Sequence, residues 1–226
     1  ELATAIRQDT IGKISIGVIP TFSVTVLPRI LGQLQYNATK THTFIHTRNT
    51  PGIVDAIQLQ QFDLGIVSRS PPYEGVHILY HTSVNYVALI PATHELASAG
   101  NELDLDQVAT QQEFVTFGNV YPLEMQGMEE KLSKQLQKNA RFSVANVLTA
   151  SSLVRETGIP AIVDPFSARM TLDQGGVVIR PLQQDLRYHM AIITRGVDTM
   201  TQETRQLAEA LITGFQADPI IIAAAN

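Results

Sequence analysis

The sequence predicts an α/β protein built from two units of similar size. Short apolar segments of strand length alternate with segments whose apolar residues recur at helical period, and this alternation occurs twice along the 226 residues. Hydrophobic residues make up 44% of the chain and charged residues 16%, which is typical of a globular protein with buried strands. Because strand–helix–strand order requires crossover connections, we expect parallel sheets.

The first unit is predicted to begin with three strands and two helices. The strands are expected at 13–19, 42–47 and 62–68. The first helix is expected over 24–36, where apolar residues at helical spacing form one face. The second helix is expected to begin at Thr50 as the N-cap residue, with Pro51 at the first helical position.

The second unit continues the alternation. One helix is predicted over 122–138 and opens on Pro122, and another begins at Asn146, a residue type favoured at the N-cap. The last helix is predicted at 200–216, and the apolar tail after it is expected to pack on the first unit or to fray. Further strands are predicted at 85–92, 113–118, 140–145, 160–163, 176–182 and 188–196.

This order of elements predicts that the chain crosses from the first unit to the second and then returns. Residues 13–84 and 191–226 are assigned to the first subdomain, and residues 85–190 to the second.

The sequence has none of the motifs that mark common catalytic or nucleotide-binding sites. It lacks G-x-S-x-G, G-x-G-x-x-G and G-x-x-x-x-G-K-[ST], and it has no cysteine. Two histidine pairs, His42 with His46 and His77 with His81, are spaced by four residues on predicted strands. That spacing separates the side chains by about 13 Å, too far to share one metal ion. We expect no enzymatic activity, no cofactor and no metal.

The charge pattern argues against nucleic-acid binding by these residues. The net charge is −5, whereas a chain that binds nucleic acid by itself usually carries a basic face. No apolar run approaches the ~20 residues of a membrane span, and the first residues lack the pattern of a signal peptide. We therefore expect a cytoplasmic protein with no membrane partner.

Polar turns follow the carboxyl ends of predicted strands in both units. Ligands bind at that edge of open α/β sheets, so the turns together predict a binding cleft between the two units. We expect Thr21, Phe22 and Ser23 to bind a ligand carboxylate through hydroxyl and backbone N–H groups. The candidate ligand-binding residues are Pro20, Thr21, Phe22, Ser23, Thr47, Asn49, Ser68, Arg69, Gly118, Asn119, Ser143, Asn146, Asp164, Pro165 and Phe166.

Asp164 follows an apolar strand directly and is itself followed by Pro165. An acid in this position needs a cation or a hydrogen-bond donor unless it is an ordinary solvated loop residue. An ion pair with Arg169 or Arg69 would make it structural. Contact with the ammonium or guanidinium group of a ligand would make it a specificity residue. Ser143 and Asn146 would then complete the part of the site that the second unit contributes. Pro165 would fix the backbone beside the acid, and Phe166 would cover the aliphatic part of the ligand.

Four segments resemble the effector-binding domain of LysR-type transcriptional regulators. In chain order they are "GKISIGVIPTFSVTVLPRIL", "QFDLGIVS", "YVALIPATHELAS" and "SLVRETGIPAIVDP", and the order of elements agrees with the family over nearly the whole chain. Two departures from the family pattern are Glu95, where proline is usual, and Thr157-Gly158-Ile159, where the family has G-x-G. The resemblance implies two Rossmann-like subdomains joined by two crossover strands, the type 2 periplasmic-binding-protein fold.

The resemblance also implies partners. Residues 1–12 resemble the end of the linker helix that joins this domain to a winged helix-turn-helix, so DNA would be bound by a module preceding Glu1. It implies a small-molecule inducer, a homodimer in which helices 24–36 and 122–138 pair, higher homo-oligomers of the intact protein, and RNA polymerase as a further partner. Val26 is taken as an exposed apolar position in the first helix. Asp164-Pro165 resembles the amino-acid- and opine-responsive members.

Three functions follow from these observations. The first is the inducer-binding and dimerising domain of a transcriptional regulator. The second is a periplasmic-type solute-binding protein for a small carboxylated ligand, which shares the fold. The third is an enzyme. The linker-like start and the absence of a signal-peptide pattern favour the first over the second, and the absence of a catalytic residue set disfavours the third.

Overall fold

The computed structural model describes residues 12–34, 41–68, 72–98, 100–117 and 128–225. The chain divides into two compact units, Glu1–His81 with Ala191–Ala217 and Thr82–Met190 with Asp218–Asn226. Residues 218–226, which the sequence assigns to the first unit, group with the second. The expected linker helix at 1–12 lies, except for its last residue, outside the described residues.

The secondary structure alternates between strands and helices along the chain. The strands are β1 (Gly12–Val18), β2 (Thr41–Thr47), β3 (Leu64–Val67), β4 (His77–Asn85), β5 (Val87–Pro91), β6 (Phe114–Phe117), β7 (Ala140–Val144), β8 (Ala161–Val163), β9 (Val177–Pro181) and β10 (Arg187–Thr194). The α-helices are α1 (Pro20–Val24), α2 (Val26–Leu34), α3 (Thr50–Gln58), α4 (Leu105–Val108), α5 (Glu130–Lys138), α6 (Val147–Thr157), α7 (Pro165–Asp173), α8 (Gln202–Gln216) and α9 (Pro219–Ala225). Short 3-10 turns lie at Glu95–Ser98 and Val197–Thr199.

The first sheet has the strand order β2-β1-β3-β10-β4. β1 is parallel to β2 and to β3, as predicted, whereas β10 pairs antiparallel with β3. β10 enters the sheet on the chain's return from the second unit, and its direction follows from that path. Apolar side chains of the parallel strands are buried, among them Ile16, Val18 and Ile66.

The second sheet has the order β7-β6-β8-β5-β9. β6 is parallel to β7 and β8, and β5 is antiparallel to β8 and β9. α6 packs on this sheet, where Val154 joins a buried apolar cluster with Leu89 and Val115. Both sheets are thus mixed, and the two-unit α/β fold predicted from the sequence is confirmed.

The helical start of the first unit differs from the expectation. The Pro20–Ser23 segment is the beginning of α1, and the helix predicted over 24–36 is interrupted at Thr25. The backbone N–H and the hydroxyl of Thr25 both donate to the carbonyl of Thr21, at 3.2 and 2.7 Å. This local side-chain bond competes with continuation of a regular helix.

The second unit differs at two helices. The predicted helix over 122–138 is not continuous, because Glu129 is extended (φ −65°, ψ 144°) and α5 begins only at Glu130; Pro122 lies outside the described residues. The segment after β8, expected as a turn, is the start of α7.

Specific residues fix the C-terminal end of α6 and the N-terminal end of α9. Gly158 ends α6 in the left-handed conformation (φ 78°), which explains a glycine at that position. The apolar tail forms α9, which groups with the second unit, and Asp218 Oδ1 accepts from the N–H of Ile220 at 2.9 Å.

Within the described segments, no helix has the length and hydropathy that a membrane span requires.

Candidate functional site

The carboxyl ends of β1, β2 and β3 lie side by side in the first unit. Val18 is in register with Thr47 on β2 and with Ile66 on β3. The alignment continues beyond the strands, because Arg48 N–H donates to Val18 O and Ile19 N–H donates to Ile66 O, both at 3.1 Å. The candidate residues Pro20 to Ser23, Thr47, Asn49 and Ser68 therefore share one edge of the sheet.

The side chains of the Pro20–Ser23 segment mostly pack in the core or form hydrogen bonds within the segment. Phe22 is fully buried, and its ring meets that of Phe215 edge to face at 5.2 Å between centroids. Thr21 is 3% exposed. The half-buried Ser23 donates its hydroxyl to Pro20 O at 2.7 Å. The ring of Phe22 is thus part of the core, and Ser23 Oγ is oriented as an acceptor.

Asn49, rather than Thr50, caps α3. Asn49 Oδ1 accepts from the N–H of Gly52 at 3.1 Å, and Pro51 takes the second helical position. The hydroxyl of the buried Thr50 instead donates to Ser68 O at 3.0 Å and accepts from Ser68 N–H at 3.3 Å. This reciprocal pair joins the start of α3 to the end of β3, and Thr50 was missed as a site residue because it matches an ordinary cap in sequence.

Replacing Thr50 with valine is expected to lower the free energy of unfolding by about 1–3 kcal/mol, because both backbone groups of Ser68 lose their hydroxyl partner. Thermal or urea unfolding measures this. The matched control is Thr47→Val at an exposed position, which should stay within about 0.5 kcal/mol of wild type. Equal stability of both variants would contradict the assigned role of Thr50.

In the second unit, polar residues lie at or just after the carboxyl ends of the parallel strands β6, β7 and β8. Thr116 is in register with Ser143, and their hydroxyl oxygens are 3.3 Å apart. Asn146 caps α6, as predicted, because its Oδ1 accepts from the N–H and the hydroxyl of Thr149 at 2.9 and 3.1 Å. Thr116 was missed by the sequence analysis; its only signal is a lone polar residue within an apolar strand.

Asp164 caps α7. Its side chain is fully buried, and Oδ1 accepts from the N–H of Ser167 at 2.8 Å, with Pro165 at the first helical position. The acid therefore does not sit in a solvated loop. Arg169 forms an ion pair with Asp173 on the same helix, with 3.3 Å between Arg169 Nε and Asp173 Oδ1.

An aromatic cluster lies next to the start of α7. Phe166 is 3% exposed, and its ring centroid is 6.5 Å from that of Tyr188. Tyr188 in turn meets Tyr86 edge to face at 5.3 Å. The ring of Phe166 is thus held among buried aromatic side chains of its own unit.

The candidate residues are brought together within each unit. The strand ends of the first unit gather Pro20–Ser23, Thr47, Asn49 and Ser68; those of the second gather Ser143, Asn146 and Asp164–Phe166. Arg69, Gly118 and Asn119 lie outside the described residues. In the part of the chain that the structure describes, no three acidic or histidine side chains are arranged to hold a metal ion.

In each unit, capped helix starts meet at the carboxyl edge of the parallel strands, which is the edge where open α/β domains bind ligands. The family model described as "LysR substrate binding domain" matches residues 7–216, and the chain belongs to this family. The domain is a regulatory, non-enzymatic part of transcription regulators, so the prediction that this chain is not an enzyme is confirmed. Comparison with curated protein sequences gave no match.

Solved structures of the same fold include regulatory domains. The effector-binding domain of QuiR in complex with shikimate has a TM-score of 0.71 at 18% identity and covers 92% of this chain and 99% of its own. The C-terminal domain of a probable LysR family regulator from Rhodococcus sp. RHA1 has a TM-score of 0.72 at 15% identity, with 89% and 99% covered. Corynebacterium glutamicum OxyR has a TM-score of 0.70 at 15% identity, with 99% and 70% covered. At these identities the similarity shows the fold, the type 2 periplasmic-binding-protein fold.

Proposed function

We propose that this chain is the inducer-binding and dimerising domain of a bacterial LysR-type regulator that acts in the cytoplasm. A small amino-acid-like or opine-like ligand binds between the two subdomains, 13–84 with 191–226 and 85–190. Binding changes how an N-terminal helix-turn-helix contacts DNA and how the regulator meets RNA polymerase. Family membership supports this function over a solute-binding protein.

The observation that carries the ligand class is the buried carboxylate of Asp164 at the end of β8. A carboxylate at a strand end favours a ligand that presents a cation, such as an ammonium or guanidinium group. In the first unit, the strand ends offer the hydroxyl groups of Thr47 and Ser68 and the side-chain amide of Asn49, and the ligand carboxylate binds there. A ligand that carries both a cationic group and a carboxylate therefore fits Asp164 in the second unit and the polar strand ends of the first unit.

A thermal-shift screen tests this proposal. The probes are L-lysine, L-arginine and their N-carboxyalkyl conjugates, with a simple dicarboxylate as the contrast. A probe present at a hundred times its dissociation constant adds ~2.7 kcal/mol to stability. Stabilisation by dicarboxylates alone would contradict the ligand class while leaving the regulatory function in place.

Dimerisation is proposed through the helices around 24–36 and 122–138, whose described parts include the last residue of α1, α2 and α5. Val26 is unsuitable as a test position, because it is 2% exposed and not exposed as assumed from the sequence. An aspartate there would be buried without a partner and would unfold the core. Val24, at the end of α1, is 50% exposed and replaces it.

Val24→Asp is expected to shift the fragment from dimer to monomer in light-scattering measurements, with an unchanged circular-dichroism spectrum, because a charge within an apolar contact is costly. Leu59→Asp is the matched control, since Leu59 is 69% exposed after α3 and lies outside both helices. A dimer that survives Val24→Asp, with intact fold, would contradict this interface.

A further inference from the structure

A cavity in the first unit lies at the opposite end of β3 from the candidate site. Its volume is about 290 Å³, and it is lined by the residues before β3, the end of β10 and the start of α8. Gln60, Asp63, Arg195, Thr199 and Thr204 contribute polar groups to its wall. This volume is at the lower end of the range for small-molecule pockets, roughly 300 Å³ and above, so it suits a ligand of few heavy atoms.

Gln60 has an unfavourable backbone conformation. Its φ of 58° is the only positive φ of a non-glycine residue in the described ranges. It ends α3 in the arrangement usually occupied by glycine, with Gln60 N–H donating to Ile57 O at 3.0 Å and Gln61 N–H to Ala56 O at 2.8 Å. Its side-chain amide hydrogen-bonds no described residue. Strain of this kind concentrates at functional positions.

Asp63 and Arg195 place opposite charges on the cavity wall without pairing with each other. Asp63 Oδ2 accepts from Ser15 N–H at 2.7 Å, and its carbonyl accepts from the hydroxyl of Thr194 at 3.0 Å, so this residue is held in place. Arg195 follows β10, is exposed, and has no hydrogen bond or ion pair to any residue in the described part of the chain.

We propose that this cavity is a second small-molecule site, for a small carboxylic acid that also carries a hydroxyl or ammonium donor. The guanidinium of Arg195 binds the carboxylate, since arginine donates to both carboxylate oxygens at once. Asp63 accepts from the hydroxyl or ammonium group, and the amide of Gln60 completes the contacts. This site is independent of the ligand and the dimer proposed above.

Three molecules of matched shape test the proposal by two-dimensional amide NMR of the whole chain: L-lactate carries the hydroxyl, L-alanine the ammonium and propionate neither. We expect saturable shifts at the amides of Gln60, Arg195 and Thr199 with lactate or alanine, and which of the two binds identifies the donor. Propionate should bind at least tenfold more weakly. Arg195→Gln should weaken binding by about tenfold or more.

Gln60→Gly separates binding from folding. Because glycine is favoured at this helix end, the variant should melt at the same temperature or higher while its affinity falls. No saturable shifts with either molecule, shifts confined to Ser143 and Asp164, or unchanged affinity in both variants would overturn the proposal. Binding that persists in Asp164→Asn would show that this site does not depend on the proposed inducer site.

Discussion

Replacing Phe22 with alanine is expected to lower the free energy of unfolding by about 3–5 kcal/mol. The ring is fully buried and packs edge to face on Phe215 of α8, so its removal leaves a cavity between the start of α1 and the last long helix. Chemical unfolding followed by circular dichroism measures the loss.

Phe22→Leu is the matched control, because leucine keeps most of the apolar volume and should cost about 1.5 kcal/mol or less. The pair distinguishes a core residue from a ligand contact at this position. If the alanine variant were as stable as wild type but bound inducer poorly, the packing role of Phe22 would be refuted and the original expectation of a ligand contact would return.

Replacing Asp164 with asparagine is expected to weaken a cationic inducer by about 1–3 kcal/mol and to leave the fold intact. Asparagine caps helices as well as aspartate, so the bond to Ser167 N–H persists while the charge is removed. Calorimetry with the strongest ligand from the thermal-shift screen measures the affinity.

Asp164→Ala removes both the negative charge and the helix cap, so its stability and affinity can be compared with those of Asp164→Asn. Loss of the cap alone should cost about 0.5–2 kcal/mol of stability. Unchanged affinity in Asp164→Asn, together with destabilisation in Asp164→Ala, would show that Asp164 serves only as the cap of α7. The amino-acid or opine class would then lose its main support.

Local sequence determined several elements well. The strands β1 and β3 are apolar runs whose central residues are buried, and Asn146 was identified as a cap because its residue type and position suffice. α7 escaped detection for a physical reason. It buries small polar residues, Ser167 and Thr171, so it shows little apolar periodicity, and Asp164-Pro165 fits a turn as well as a helix start.

The features that sequence reasoning missed depend on partners distant in the chain. Phe22 faces Phe215 from the other end of the sequence, and Thr50 bonds the backbone of Ser68 instead of capping its own helix. The antiparallel entry of β10 likewise depends on the path of the whole chain. A candidate residue's type was predictable from local sequence, whereas its availability to a ligand was not.

The position of β10 between β3 and β4 bears on the order in which the chain folds during synthesis. The second sheet uses only strands from β5 to β9, so it can be completed as soon as that stretch leaves the ribosome. The first sheet must wait for β10, although its other four strands are made first. Until then β3 and β4 have unpaired backbone edges, which are sites of aggregation and of chaperone binding. A chain truncated before Arg187 should therefore protect the strands β5 to β9 from protease and leave β1 to β4 sensitive.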